Sequence, residues 1–375
     1  MSRIRDITLV PVAHAIDPAQ AYGTARGLTP SRGASLVLLQ TEDGVQGLGE
    51  ASGPAAVTRA YLDIVKPDFI GTSVFAQRGV AQTILARPDH MGLPNPLVAL
   101  LGGIDIAAHD AMGKLLGISV ADLIGGRQRE RVPVYASGGY FTAGDDQEAA
   151  LAVQLEPLHS SAFPAFKIRI GRSAEEDLWR VRMARRLVGE GKLLTVDANG
   201  AYTADAALES MRRMAPFAVH WFEDPLAPQD WGGYAELAHR APMPVATGKA
   251  LHTVSDLRRA IDGRLAAVLQ PDLTLCGGFE AARAVAVLAA AEHLRLSPHC
   301  WGTGIGLAVA VHWVASLAPH GPTPPLVEYD VAPNPLRDEL LAEPLRLRGG
   351  MLEVPTGPGL GIELAPDALT RFGGG

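Results

Sequence analysis

Residues 165–223 read AFKIRIGRSAEEDLWRVRMARRLVGEGKLLTVDANGAYTADAALESMRRMAPFAVHWFE. Three short apolar runs, Ala165–Ile170, Leu193–Val196 and Val219–Phe222, alternate with helix-length segments such as Ala174–Gly189. A polar or charged residue stands in or just past each run: Lys167, Asp197, Glu223. The same texture begins upstream at Val132–Ala136. It continues downstream through Pro244–Ala246, Ala267–Gln270, Leu296–Pro298 and Leu326–Val327, with Phe279–Glu292 a further helix-length segment. The downstream runs end near Lys249, Asp272, His299 and Glu328, so successive polar positions lie 30, 26, 26, 23, 27 and 29 residues apart. A near-regular period with one functional group per strand end is what a (β/α) barrel requires, because all its strand ends open on one face. A doubly wound sheet shares the alternation but does not converge seven strand ends on one pocket. The fold expected is therefore α/β, a (β/α)7β modified TIM barrel.

Working outward, residues 1–60 read as strands and turns. Ile4–Val10 and Ala34–Gln40 are β-like, and Thr41-Glu-Asp-Gly44 is a hairpin turn signal. Ile16–Arg32, polar and rich in Gly and Pro, reads as a long loop. From Pro54 to Gly126 the pattern is helical: Val98, Leu101, Ile104, Ala108, Met112 and Leu115 recur at three- and four-residue spacing. The expected division is an N-terminal α+β capping domain over 1–127, the barrel over 128–335, and a C-terminal segment over 336–375.

Composition narrows the function. With 375 residues, 47% of them hydrophobic and 19% charged, the chain has ample material for a large core. A net charge of −7 with no basic run argues against a nucleic-acid or acidic-membrane partner. Two cysteines, Cys276 and Cys300, fit a reduced, cytoplasmic setting. The N-terminus lacks a signal-peptide pattern, and the longest apolar stretches fall short of a membrane span.

The strand ends carry the chemistry. Asp197 and Glu223, ending successive strands, face one cavity; paired hard oxygen ligands suit Mg²⁺, or else each caps a helix or pairs with an arginine. Asp272 and His299 are placed for an aspartate to fix one imidazole tautomer and prepare a general base or acid. Lys167 and Arg169 alternate on one strand and point to the same side.

These stretches resemble the mandelate racemase branch of the enolase superfamily. The similarity runs through GLGEASG (47–53), GIDIAAHDAMGKLLGISVADLIGG (103–126), FKIRIG (166–171), VDANG (196–200), WFEDPL (221–226), ATGKAL (246–251), QPDLTLCGG (270–278), SPHCW (297–301), VEYD (327–330) and VPTGPGLGIEL (354–364). The resemblance implies abstraction of a proton α to a carboxylate, giving an enediolate held by Mg²⁺. It implies metal ligands at Asp197, Glu223 and position 249, a base position at 169, a His299–Asp272 dyad, and a strand-8 acid at Glu328. It also implies a cap over the barrel, a C-terminal segment folding back onto that cap, a symmetric homo-oligomer, and closure of the Ile16–Arg32 segment over a small hydroxylated carboxylate.

Two positions depart from the pattern. Arg169 stands where racemases of this family carry a base lysine, and a guanidinium cannot be deprotonated. That leaves His299 as the clear base and favours one-base dehydration of a sugar acid. The alternatives are a racemase, epimerase or lactone isomerase using Lys167 and His299 on opposite faces, or a catalytically silent sugar-acid-binding paralogue. Lys249 stands at the third ligand position, and an ammonium has no lone pair for Mg²⁺. Either Lys249 is a built-in counter-ion replacing the metal, or it swings away and Mg²⁺ binds through Asp197, Glu223 and substrate oxygens. Only five lysines stand against 28 arginines, so a lysine in the pocket points to a need for a compact ammonium. Asn199, Lys249, Tyr22 and Arg26 are the expected substrate contacts, with His14 and His252 as further specificity positions.

Overall fold

A computed structural model describes residues 2–90, 96–319 and 324–374. The N-terminal part holds β1 (Ile4–Ala15), β2 (Tyr22–Thr24), β3 (Gly27–Thr29), β4 (Ser31–Thr41) and β5 (Gln46–Ala51), then α1 (Ala55–Phe69), α2 (Gln77–Leu85), α3 (Pro96–Leu116) and α4 (Val120–Ile124). β1, β4 and β5 form an antiparallel sheet, with the β4–β5 hairpin turning at the expected Thr41–Gly44. α3 is buried continuously from Leu97 to Gly113, because it lies between this sheet and the barrel. The close approach of sheet and helix needs glycine in β5: a Cβ at Gly49 would sit 2.2 Å from the Gly103 carbonyl oxygen.

The barrel strands are β6 (Arg131–Ser137), β8 (Ala165–Arg169), β9 (Leu193–Asp197), β10 (Val219–Glu223), β11 (Val245–Thr247), β12 (Val268–Leu269), β13 (Arg295–Leu296) and β14 (Val327–Asp330), with the short β7 (Phe141–Thr142) between the first two. Their helices are α5 (Gln147–His159), α6 (Ala174–Val188), α7 (Ala204–Met214), α8 (Trp231–Arg240), α9 (Val254–Asp262), α10 (Gly278–Ala291) and α11 (Gly304–Ser316). Parallel ladders run from β6 through β8 to β13, and β14 pairs with β6 on the other side. No ladder joins β13 to β14 among the described residues; the Ser297 hydroxyl donates to the Leu326 carbonyl across that seam, at 2.7 Å. All eight expected strands are present. Those at 268–269 and 295–296 are shorter than their apolar runs suggested.

The Ile16–Arg32 segment is not a plain loop. It forms a helical turn at Pro18–Gln20 and the β2–β3 hairpin, whose first strand also pairs with β7 through Tyr22↔Thr142 and Gly23↔Phe141. Strands of three residues that depend on a barrel loop for a partner leave no local periodicity to read. The C-terminal segment, α12 (Pro335–Asp338), β15 (Leu347–Arg348), β16 (Met351–Glu353) and α13 (Ala368–Phe372), first lays β16 against the start of β6. It then meets the cap, where Leu360 N donates to Asp110 Oδ1 at 2.7 Å and Val12 bridges Gly373. No helix among the described residues is long and apolar enough to cross a membrane.

Candidate active site

Parallel register sets Arg169, Asp197 and Glu223 side by side at the carboxyl ends of β8, β9 and β10. Alternation along β8 turns Lys167 to the same interior, and β14 adds Glu328. Lys167, Asp197, Glu223 and Glu328 are essentially inaccessible to solvent.

Three cations and three carboxylates interlock there. Lys249 Nζ lies 2.6 Å from Asp197 Oδ2 and 2.7 Å from Glu223 Oε1, with Asp224 Oδ2 at 3.5 Å. Lys167 Nζ lies 2.8 Å from Glu223 Oε1, 2.7 Å from Glu328 Oε1 and 3.7 Å from Asp197 Oδ2. Arg169 donates to Asp197 Oδ2, and its other terminal nitrogen reaches the Ser137 and Tyr140 hydroxyls. Gln270 Nε2 donates to Glu223 Oε2 at 2.9 Å, and Asn199 N donates to Asp197 Oδ1 at 2.8 Å. Burial alone would raise the Glu223 and Glu328 carboxyls, but the surrounding cations outweigh it. Glu223 falls well below the usual carboxylate range, and Glu328 falls to about 2 under Lys167 and His299. Burial likewise disfavours the charged Lys249, yet Asp197 and Glu223 more than reverse this and hold it protonated.

Beside this cluster stands the dyad. His299 Nδ1 meets Asp272 Oδ2 at 2.8 Å, leaving Nε2 facing Glu328 Oε2 at 3.7 Å. The other oxygen of Asp272 accepts from Thr274 N and Oγ1, and Thr274 Oγ1 in turn meets Ser52 Oγ of the cap at 2.7 Å. Glu50, also from the cap, accepts from Thr303 N, Thr303 Oγ1 and Gly306 N, capping α11 just past the SPHCW segment. The cap thus supports His299 from two sides, through Thr274 and Asp272 and through the start of α11.

Lys167, Arg169, Asp197, Glu223, Lys249, Asp272, His299 and Glu328, all singled out in the sequence, come together. Asn199 is adjacent, in a left-handed conformation (φ 51°), and its side-chain Oδ1 is buried without a hydrogen-bond partner. Tyr22 sits in the roof of the site: its ring packs 4.8 Å from Tyr140 and its hydroxyl accepts from Arg32. Arg26 does not enter the charged cluster. It lies exposed on the β2–β3 hairpin, donating to the Gly200 carbonyl at the rim. His14 lies on β1 opposite Arg32, and His252 lies half-buried just past Lys249. The sequence reading missed Arg32, Tyr140, Trp301 and Asp330. Arg32, fully buried, pairs with Asp330, donates to Trp301 O and stacks on the Trp301 ring at 3.7 Å. Nothing in the polar 16–32 segment marked that arginine. Gln270 and Thr274, by contrast, flank Asp272 within the QPDLT run.

Mg²⁺, implied by the resemblance, does not fit these residues. All four oxygens of Asp197 and Glu223 already accept from N–H donors, and three side-chain cations crowd the position a dication would take. Among the described residues no three acidic, His or Cys side chains are grouped to hold a metal. Lys249 points inward and spans Asp197 and Glu223; it does not swing away.

Comparison with known proteins follows the same lines. Residues 4–125 match the mandelate racemase/muconate lactonizing enzyme N-terminal domain, and residues 149–368 match the enolase C-terminal domain-like model. The chain is 36% identical over 341 residues to the D-galactarolactone cycloisomerase of Agrobacterium fabrum, covering 90% of each. It is 29% identical over 338 residues to the arabinonate dehydratase of Saccharolobus solfataricus, covering 89% of each. A racemase structure from Streptomyces coelicolor with bound magnesium superposes with a TM-score of 0.87 at 26% identity, over 99% of this chain and 100% of that one. Both parts of the fold, matched in order to the two domains of one enzyme family, place the chain in the mandelate racemase/muconate lactonizing enzyme family of the enolase superfamily.

Proposed function

We propose that this protein removes the proton α to the carboxylate of a sugar acid or its lactone, using His299 as its single base, and expels the β-oxygen without a metal ion. The observation that carries the single-base reading is the locked state of the strand-2 cations. Lys167 is wedged between Glu223 and Glu328, and Arg169 is tied to Asp197, so neither offers a lone pair to the α-carbon. A racemase needs a competent group on each face; an elimination needs one. Asp272 holds the His299 Nδ1–H, which leaves Nε2 as the acceptor. The protonated imidazole then returns its proton to the departing β-oxygen. If that oxygen leaves as hydroxide, the proton completes a water molecule and the reaction is dehydration. If it remains tethered as a ring oxygen, the product is an isomer. The cycloisomerase and dehydratase among the relatives represent both outcomes.

Charge development on the substrate carboxylate falls to Lys249 and Lys167, whose ammonium groups meet at Glu223 Oε1. Lys249 bridges Asp197 and Glu223, so the cation that family members draw from a metal is supplied here by the chain. Fixed ammonium groups in a water-excluded site stabilise an enediolate without reorganisation at the moment of reaction. Asn199, partly exposed beside Asp197 at the end of β9, is the proposed substrate-hydroxyl contact.

The test is incubation of the protein with a panel of aldonic acids, aldaric acids and their lactones, read by mass spectrometry. A product lighter by one water identifies dehydration, and a product of unchanged mass identifies isomerisation. Either is expected to vanish in His299→Asn. Saturable binding with no turnover across the panel would instead identify a silent binding paralogue.

A further inference from the structure

A second cavity lies at the opposite end of the barrel, with a volume of about 480 Å³. It opens between α10 and α11 at the seam where β13 and β14 share no ladder, and it reaches Trp221, Ser297 and Leu326. Trp221 lies two residues before Glu223 on β10, and Ser297 lies two before His299. Tyr135 forms the floor between the two sites: its ring meets the edge of Trp221 at 5.8 Å and lies 5.3 Å from Lys167 Nζ.

The lining is mostly aliphatic. The rings of Trp221 and Trp313 close its inner wall, with their indole nitrogens sealed from any occupant. Arg295 is half-buried, and no carboxylate among the described residues pairs with it; His220 Nε2 accepts from its guanidinium at 3.2 Å. At the rim, Glu280 is already shared by Arg78 (3.0 Å) and Arg283 (3.6 Å). Three arginines, Arg78, Arg283 and Arg295, thus line the opening against a single acid. A half-desolvated guanidinium without a carboxylate partner favours an anion beside it. The occupant that suits this lining brings negative charge and an apolar body.

We propose that this cavity is a binding site for a small amphipathic carboxylate, its head against Arg295 and its chain along the aliphatic wall. The site is separate from the reaction centre and does not depend on the function proposed above.

Octanoate and octanol serve as a matched pair of probes on the full-length protein, followed by calorimetry and by tryptophan fluorescence. Octanoate is expected to bind saturably and more tightly than octanol. Arg295→Met and Arg295→Gln are expected to weaken octanoate roughly 10- to 100-fold, the value of one charge-assisted hydrogen bond, while leaving octanol unchanged. Ala290→Trp, at a solvent-exposed position on the cavity wall, is expected to abolish both. Equal affinity for the two probes, or octanoate affinity indifferent to both Arg295 variants, would overturn the proposal. So would absence of binding, and if Ala290→Trp then also changed the oligomeric state, the face would be identified as an interface between copies of the chain.

Discussion

Replacing Lys249 with methionine removes the ammonium and keeps the length of the side chain. In the native protein that ammonium lies 2.6 Å from Asp197 and 2.7 Å from Glu223, with all three side chains within a tenth of full burial. At an effective dielectric of about 20, each contact represents about 6 kcal/mol of attraction before desolvation is counted. Most of that offsets the desolvation of the three charges. Removing one partner from a buried charge network nevertheless leaves carboxylates uncompensated and costs about 3–5 kcal/mol. Lys249→Met should therefore unfold at lower denaturant by that amount in metal-free buffer. Lys249→Glu goes further: it places a third carboxylate beside Asp197 and Glu223 and recreates an all-oxygen donor set suited to Mg²⁺. Its stability should depend on Mg²⁺, rising by about 2.7 kcal/mol at a hundredfold excess over the dissociation constant. The wild type should show no such dependence. Equilibrium urea titrations of the three proteins with chelator or with Mg²⁺ read this directly. A wild type stabilised by Mg²⁺ as strongly as Lys249→Glu would refute the reasoning.

Other expectations follow from the same geometry. His312, buried on α11, accepts from Ala121 N through Nδ1 and donates to Leu360 O through Nε2, and burial lowers its pKa from 6.5 to about 4. Because the unfolded chain binds that proton more readily, the contribution of His312 is intact above pH 6.5. It is lost as pH falls toward 4, amounting to about 3 kcal/mol. Denaturation curves of His312→Gln should show a shallower loss across this window, and identical slopes would contradict the assignment. Thr274→Val removes the hydroxyl that joins Asp272 to Ser52. Loss of one hydrogen bond to a charged group predicts a fall in kcat of roughly 10- to 100-fold. KM should change little, since Thr274 orients the dyad through Asp272; a KM effect alone would place it in substrate binding. Gly49→Ala forces a Cβ against the Gly103 carbonyl and should lower stability by about 1–3 kcal/mol, measured by thermal melts.

The barrel was legible because its strand period and its functional residues coincide: each of Lys167, Asp197, Glu223, Asp272, His299 and Glu328 stands within or just past a readable apolar run. Lys249 was legible as a departure, and its chemistry alone ruled out metal ligation by that side chain. Its orientation was not legible, since an inward ammonium and a displaced one fit the same sequence. The structure resolves this through two facing carboxylates that no local pattern ties to it. The β2–β3 hairpin was hidden for another reason: its strands are three residues long, and Tyr22–Thr24 gains its second partner from Phe141–Thr142, far along the chain. Arg32 was likewise hidden, since an arginine reads as exposed until Asp330, some 300 residues away, supplies its partner.

If Lys249 does the work of a metal ion, proton NMR of the chelator-treated protein in D₂O with pooled sugar acids and lactones, repeated with added Mg²⁺, decides it. Loss of the substrate α-proton signal, or its conversion to product, is expected at the same rate in both samples. Activity that appears only when Mg²⁺ is added would contradict it.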